Sequence, residues 1–248
     1  MRIAICFSGH IRNFLTHGIF NLNSNILSLR EHGHVVDLFI STWDTINAGS
    51  EDKIDTDKIK ELNPIICEIE NYDLIKHNFL LKNFHSNLKM EFGKSQNDFV
   101  GIKNGILNST PMFYKIYKAN KLKCAYEVNN GFKYDIVIRY RANLSFLSPI
   151  CIDNFKPNVI YNRGICGKID GKSIRTDGNI NLDSYMFDDL FAYGDSNIMN
   201  IYSDVYNNLS ILFHEYGSTG PERILYDWVV LKNTLRYEKI SQVIELCK

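Results

Sequence analysis

The chain has 248 residues, 45% of them hydrophobic and 23% charged, with 28 Lys plus Arg against 28 Asp plus Glu. That is enough for one large α/β domain with an ordinary core, and zero net charge excludes the basic surplus that marks a nucleic-acid binder. Six cysteines without a CxxC pair or a histidine at zinc spacing argue against a zinc centre and for a reducing compartment.

The N-terminal run MRIAICF is too short for a signal peptide, and no apolar run approaches the ~18 residues of a bilayer span. A soluble cytoplasmic protein is expected. Arg2 to Phe7 reads as the first strand. It breaks at Ser8-Gly9-His10, where backbone N–H groups could approach a phosphate or ribose and where Arg12 lies close by. The same residues also suit a plain strand-to-helix turn. There is no GxGxxG and no Walker lysine, which weakens dehydrogenase and P-loop readings.

Ile19 to Arg30 has helical periodicity. VVDLFISTWD, residues 35 to 44, reads as a second buried strand ending at Trp43 and Asp44; the tryptophan could stack a base or sugar, or belong to the core. A short helix is expected near Thr56 to Leu62 and a third strand at Pro64 to Glu70. Residues 71 to 104 carry weak periodicity and read as the most mobile stretch, with His77 and His85 on its surface. Pro111 to Asn129 is the clearest helix, capped by Ser109 or Thr110 with Pro111 in its first turn. Lys115, Lys118, Lys121 and Lys123 crowd one side of it, either as a solvated face or as a patch meeting anionic lipid at the inner membrane face.

Everything else is organised around YDIVIRYRANLS, residues 134 to 145. A buried strand runs into Arg139, Arg141 and Asn143, which share one face if the chain stays extended. Guanidiniums at the carboxyl end of a buried strand call for an anion, and arginine donates to phosphate bidentately. Ligands of open α/β sheets bind at that end. This stretch therefore reads as the floor of a nucleotide-diphosphate site. Another strand is expected near Asn158 to Tyr161, then a flexible glycine-bearing loop over the site from 162 to 182. Asp188 and Asp189 precede a Leu-Phe-Ala-Tyr strand stopped by Gly194. Asp195 or Ser196 can cap a helix from Ser196 to Leu212. His214 to Gly220 reads as a loop and Pro221 to Lys232 as a helix.

The fragments FSGHIRNF, FISTWD and IRYRANL, followed in order by DDLFAYGDSNIMNIY and GPERILYDWV, resemble the bacterial and viral sugar transferases of surface-polysaccharide and lipopolysaccharide synthesis, nearest the WavE-like group. The resemblance spans most of the chain. It implies a single α/β domain with a GT-A-like fold, a Rossmann-like mixed central sheet flanked by helices. Residues of about 1–148 would form the nucleotide-binding half and about 149–248 the acceptor half. Ser8, Gly9 and Arg12 match first-loop nucleotide contacts. Arg139, Arg141 and Asn143 match an Arg-x-Arg-x-Asp segment that takes the place of DXD. Here Asn143 stands where an aspartate is usual, and an amide binds a divalent cation more weakly than a carboxylate. No metal is therefore expected to be required, though Mn²⁺ or Mg²⁺ is not excluded.

The expected activity is transfer of a sugar from a nucleotide-diphosphate donor to a hydroxyl of a glycan or lipid-linked acceptor. Arg139 and Arg141 would stabilise the leaving diphosphate. Asp188 and Asp189 are the first candidates for the general base, with His214 and Glu222 next; the aspartate pair could equally be a solvated turn or strand cap. Trp43 and Asp44 complete the expected donor site. A non-catalytic nucleotide-sugar-binding module is the alternative, favoured by Asn143. A sulfotransferase is disfavoured by the lack of a Gly-Lys-Ser/Thr phosphate loop.

Overall fold

Side-chain alternation along the first strand, β1 (Arg2–Gly9), sets the layering of the molecule. Ile3, Ile5 and Phe7 point to one face and Ala4, Cys6 and Ser8 to the other, and all six are buried. The computed structural model describes residues 1–16, 18–76, 96–163, 166–169, 172–175, 187–216, 220–240 and 244–246, with backbone alone at 96–108, 166–169, 172–175, 214 and 244–246.

Seven strands form the central sheet. With β2 (Val35–Trp43), β3 (Ile66–Glu70), β4 (Ile136–Arg141), β6 (Val159–Asn162), β9 (Phe191–Gly194) and β10 (Arg236–Lys239), the order is β10-β6-β9-β4-β1-β2-β3. Every neighbouring pair is parallel except those made by β9, which runs antiparallel to both β4 and β6. Strands from both sides of residue 148 thus share one sheet, the mixed α/β architecture expected. The near-continuous apolar runs of β1, β2 and β4 follow from burial on both faces. Two small ladders lie apart from it: β5 (Leu144–Phe146) pairs with β11 (Ile244–Leu246), and β7 (Cys166–Ile169) pairs with β8 (Lys172–Arg175).

One face is covered by α1 (Gly18–Glu31), which buries Leu22, Ile26 and Leu29 against Ile5, Phe7, Leu38, Ile138 and their neighbours. Three helices cover the other face: α3 (Gln96–Asn130), α4 (Ser196–Ser203) and α5 (Val205–Tyr216). Phe113, Ile116, Ala119, Met199, Tyr202 and Leu209 meet Ala4, Cys6, Val137 and Ala192 there. The short α2 (Thr56–Glu61) is capped by the Asp55 carboxylate, which accepts from the N–H groups of Asp57 and Lys58. α6 (Pro221–Tyr226) continues as a π-helical turn, Asp227–Lys232.

Several expectations change. The long helix does not start at Pro111. It begins at Gln96 and passes through the proline, so Ser109 and Thr110 are buried inside it and do not cap it. A proline mid-helix removes one backbone hydrogen bond; packing of Phe113, Ile116 and Ala119 on both sheet strands and helices holds the helix through it. Lys115 and Lys123 are fully buried, so neither a solvated face nor a lipid-facing patch includes them. Of the expected 162–182 loop, Asn162 ends β6, Arg163 follows it, and β7 and β8 form an antiparallel ladder; the remainder lies outside the described residues, as do His77 and His85. The helix expected over 196–212 is two helices. Asp195 caps the first by accepting from Asn197 and Ile198, and Asp204 interrupts the run. Among the described residues no helix is long and apolar enough to cross a membrane.

Candidate functional site

The direction of β9 places the site. Because β9 is antiparallel, the residues that lead into it arrive at the edge where the parallel strands end. Asp188 and Asp189 therefore meet the carboxyl ends of β1, β2 and β4. Ser8 is in register with Arg141, and its carbonyl accepts from the Ala142 N–H at 3.1 Å. Gly9 has φ +111°, a conformation that glycine adopts without penalty, and its carbonyl accepts from the Thr42 hydroxyl at 2.8 Å. A cavity of about 490 Å³ opens at this edge. It is walled by Ser8, Gly9, His10, Arg12, Trp43 and Tyr72, floored by Arg139 and Arg141, and closed opposite by Asp188, Asp189 and Glu222, with Ser109, Pro111 and Met112 of α3 along one side.

Charge in the cavity is unevenly satisfied. Arg141 Nη1 donates to Asp189 Oδ2 at 3.1 Å, and Arg163 lies 3.5 Å from Asp188 Oδ2. Arg139 is 2% exposed, and its three guanidinium nitrogens have no hydrogen-bond acceptor among the described residues. The Tyr202 hydroxyl is a neutral neighbour that interacts with the guanidinium without a well-formed hydrogen bond, so it leaves the charge without a bonded counter-ion. Burial, reinforced by Arg141, brings the Arg139 pKa down to about 10. Arg12 adopts φ +49°, uncommon for a non-glycine residue, and donates its N–H to Ile46; burial and the Arg141 charge lower its pKa. Three guanidiniums, of Arg12, Arg139 and Arg141, thus face three carboxylates, of Asp188, Asp189 and Glu222, across the cavity, and Arg139 is left without an acceptor among the described residues.

Asp188 is held from three directions. Its N–H donates to Asn162 Oδ1, its carbonyl accepts from Asn162 Nδ2, and its Oδ1 accepts from the Leu190 N–H. Burial raises its pKa to about 6, with the neighbouring charges of Asp189 and Glu222 adding to the rise against the opposing Leu190 N–H and Arg163. A carboxyl tuned toward neutrality can accept a proton at physiological pH more readily than an ordinary aspartate.

The aromatic wall is built from below. Lys115, fully buried, bonds Glu70 Oε2 at 2.6 Å and sits 4.1 Å from the centre of the Trp43 ring. Tyr114 stacks on Trp43 at 5.6 Å and donates its hydroxyl to Glu70. The His10 ring lies 5.0 Å from Tyr72, edge on. Its Nδ1 is 3.3 Å from the Thr45 carbonyl, and burial lowers its pKa to about 4.

Of the residues expected from sequence, Ser8, Gly9, Arg12, Trp43, Arg139, Arg141, Asp188, Asp189 and Glu222 line this one cavity. Four expectations are corrected. Asn143 does not share the arginines' face: β4 ends at Arg141 and the chain turns through Ala142 and Asn143 into β5, leaving Asn143 buried and off the cavity. Asp44 is turned away from the lining and engaged by Lys53, Asn71 and the Tyr72 N–H; burial alone would raise its pKa, but these partners outweigh it and hold it low. Trp43 is 0% exposed, so its ring has no free face on which a base or sugar could stack. His214 falls in α5 and not in a loop, and its side chain lies outside what is described. Sequence reading did not single out His10, Tyr72, Lys115 or Arg163 as site residues. His10 alone carried a signal, as the residue after the Ser-Gly break.

The cavity is a poor fit for a divalent cation. Asp188 and Asp189 are each engaged by an arginine, Arg12 and Arg139 add positive charge, and no three of His, Cys, Asp or Glu cluster as ligands among the described residues. What the arrangement can do is hold an anion on the arginines beside a carboxyl of raised pKa. No family model matches the sequence, and no curated protein is similar to it. Among solved structures the chain is similar to mouse xyloside xylosyltransferase 1 in its apo form, with a TM-score of 0.42, 12% identity, and coverage of 96% of this chain and 84% of that one.

Proposed function

We propose that the protein is a glycosyltransferase that takes a sugar from a nucleotide-diphosphate donor and passes it to a hydroxyl. One observation carries this reading. A buried guanidinium, Arg139, has no acceptor among the described residues and faces a cavity of about 490 Å³ at the carboxyl edge of a mainly parallel sheet. Leaving such a cation unpaired is expensive, and a diphosphate meets it with charge-assisted bonds. The edge is where α/β sheets bind nucleotides, and the volume suits a ligand of that size.

In the proposed reaction the acceptor oxygen forms a bond to the anomeric carbon as the bond from that carbon to the diphosphate oxygen breaks. Arg139 and Arg141 stabilise the charge that develops on the leaving group. Asp188 takes the acceptor's proton, a role its raised pKa suits; its contact with Arg163, at 3.5 Å, is longer than the 3.1 Å bond that holds Asp189 to Arg141. The resemblance of the sequence fragments to surface-polysaccharide and lipopolysaccharide transferases makes a glycan or lipid-linked hydroxyl the acceptor class to test first. The sequence feature that favours a non-catalytic binding module is Asn143, and that residue is buried away from the cavity.

The test is a thermal-shift series with UDP, GDP, CDP, dTDP and CMP. A ligand at 100 times its dissociation constant adds about 2.7 kcal/mol of stability, so at least one diphosphate should raise the melting point by several degrees. No shift with any of them overturns the proposal.

A further inference from the structure

The loop after β1 presents a hydrogen-bonding group of opposite character to the arginines. The Thr45 carbonyl can only accept, so the His10 Nδ1 3.3 Å away carries the ring hydrogen. In the neutral imidazole Nε2 is then a bare acceptor. That atom is buried and has no partner among the described residues, and His10 lines the cavity beside Arg12 and Tyr72. An acceptor lone pair repels phosphate oxygens, which are acceptors too. It favours an N–H or O–H donor, and an unmade bond at a buried acceptor penalises any ligand that lacks one. The wall around it is aromatic, with the Tyr72 and Trp43 rings 5.0 and 6.0 Å from that of His10.

We propose that His10 is a specificity-determining residue whose Nε2 accepts a hydrogen bond from the nucleoside half of the donor, through a base N–H or a ribose hydroxyl. The inference rests on the nucleotide-sugar reading above. It divides the cavity in two: Arg139, Arg141 and Arg12 meet the diphosphate, and His10 with Tyr72 meets the nucleoside. Ser8 and Gly9 lie between them along the strand end.

Calorimetric titrations of wild type, His10→Phe and His10→Asn with inorganic pyrophosphate and with UDP, GDP, CDP, ADP and dTDP test it. Phenylalanine keeps the ring but offers no acceptor, and asparagine keeps a donor toward Thr45 but has no acceptor at the position of Nε2. Pyrophosphate should bind all three proteins alike, which also reports that the variants are folded. The tightest nucleoside diphosphate should bind both variants about tenfold more weakly, as one neutral hydrogen bond predicts. Its 2′-deoxy and base-N-methyl analogues then separate the two donor groups: one of them should bind wild type about tenfold more weakly and lose that difference in His10→Phe. Nucleotide affinity within twofold of wild type in both variants overturns the role of His10 while leaving the diphosphate site standing. Failure of every nucleoside diphosphate to bind wild type overturns the underlying reading and this inference with it.

Discussion

Two buried cations flank the same side of the sheet, and they are treated in opposite ways. Lys123 on α3 is fully buried and fully answered. It lies 3.2 Å from Glu127 Oε2 and donates to Ser196 Oγ and Asn200 Oδ1, each at 2.8 Å. Glu127 in turn accepts from Ser196 at 2.6 Å and from the Tyr134 N–H at 2.9 Å. Arg139 on β4 is as buried and has no acceptor among the described residues. The first cluster ties α3 to α4 and to the start of the central strand, and it is closed. The second opens on a cavity, and it is the one that we propose a ligand completes. Burial of charge by itself does not mark a site; burial without a partner, beside a space large enough for one, does.

The largest effect expected from this contrast is in the closed cluster. Glu127→Gln leaves Lys123 buried without its counter-ion, and breaking a buried pair by removing one partner costs about 3–5 kcal/mol. Urea unfolding should show that loss while ligand affinity, measured where the variant is still folded, stays unchanged. The Glu127 pKa is lowered because Ser196, Tyr134 and Lys123 outweigh the rise from burial. Its contribution is therefore present above the usual glutamate range and fades as pH falls through the lowered value. A variant as stable as wild type would show that the cluster is not what binds the two helices together.

Asp188→Asn should act with the opposite sign. The folded pKa of Asp188, about 6, lies above the ordinary 3.8, so the native state binds its proton more tightly than the unfolded chain does. The stability this gives is full below about 3.8 and is lost as pH rises through about 6. At pH 7.5 the charged carboxylate therefore weighs against folding by at most about 3 kcal/mol, at 1.36 kcal/mol per unit. The asparagine variant should melt higher than wild type at pH 7.5, with the gap closing toward pH 4, and it should lose on the order of 10² to 10⁴ in turnover as a missing base. A variant that melts lower across that range would place Asp188 among the structural ion pairs.

Arg139→Met comes next. A charged bond to a ligand contributes about 1.5–3 kcal/mol, so affinity for a nucleoside diphosphate or pyrophosphate should fall roughly ten- to a hundredfold. The ligand-free protein should be no less stable, because an apolar chain of similar length replaces an unpaired buried charge. Equal loss of folding and binding, read by melting and calorimetry together, would make Arg139 resemble Lys123 and remove the contrast.

Much of this was legible in the sequence because it rests on local pattern. Runs of β-branched and apolar residues gave β1, β2 and β4 to within a few positions, and Arg139 and Arg141 stood two apart on one face. What was not legible depends on contacts distant in sequence. The lysines of α3 look alike by spacing; only the placement of Glu70, Ser196 and Asn200 decides that Lys115 and Lys123 are interior while Lys121 is exposed. The turn at Ala142-Asn143 carries no glycine or proline to announce it. The antiparallel sense of β9, which brings Asp188 and Asp189 to the site, is a property of the whole sheet. His10 acquires its character from a carbonyl 35 residues away.

The smallest expected effect is that of a divalent cation on donor binding. A metal between protein and diphosphate needs carboxylates to hold it, and here Asp188 and Asp189 are each engaged by an arginine. A cation placed about 4 Å from a guanidinium is repelled by roughly 4 kcal/mol at an effective dielectric near 20, and more if it is divalent. Arg12, Arg139 and Arg141 line the same cavity. Mg²⁺ could still travel with the ligand, touching only phosphate oxygens and its own waters, and that mode contributes little to affinity. Titrations of the best-binding nucleoside diphosphate with excess EDTA and with Mn²⁺ should therefore agree within tenfold, and Arg139→Met should make binding more dependent on the metal as the phosphate charge goes unanswered. A chelation loss above tenfold in wild type would mean that the unpaired arginine is not the principal counter-charge. The contrast between Arg139 and Lys123 would then have to be drawn again around whichever carboxylate gives up its arginine to the metal.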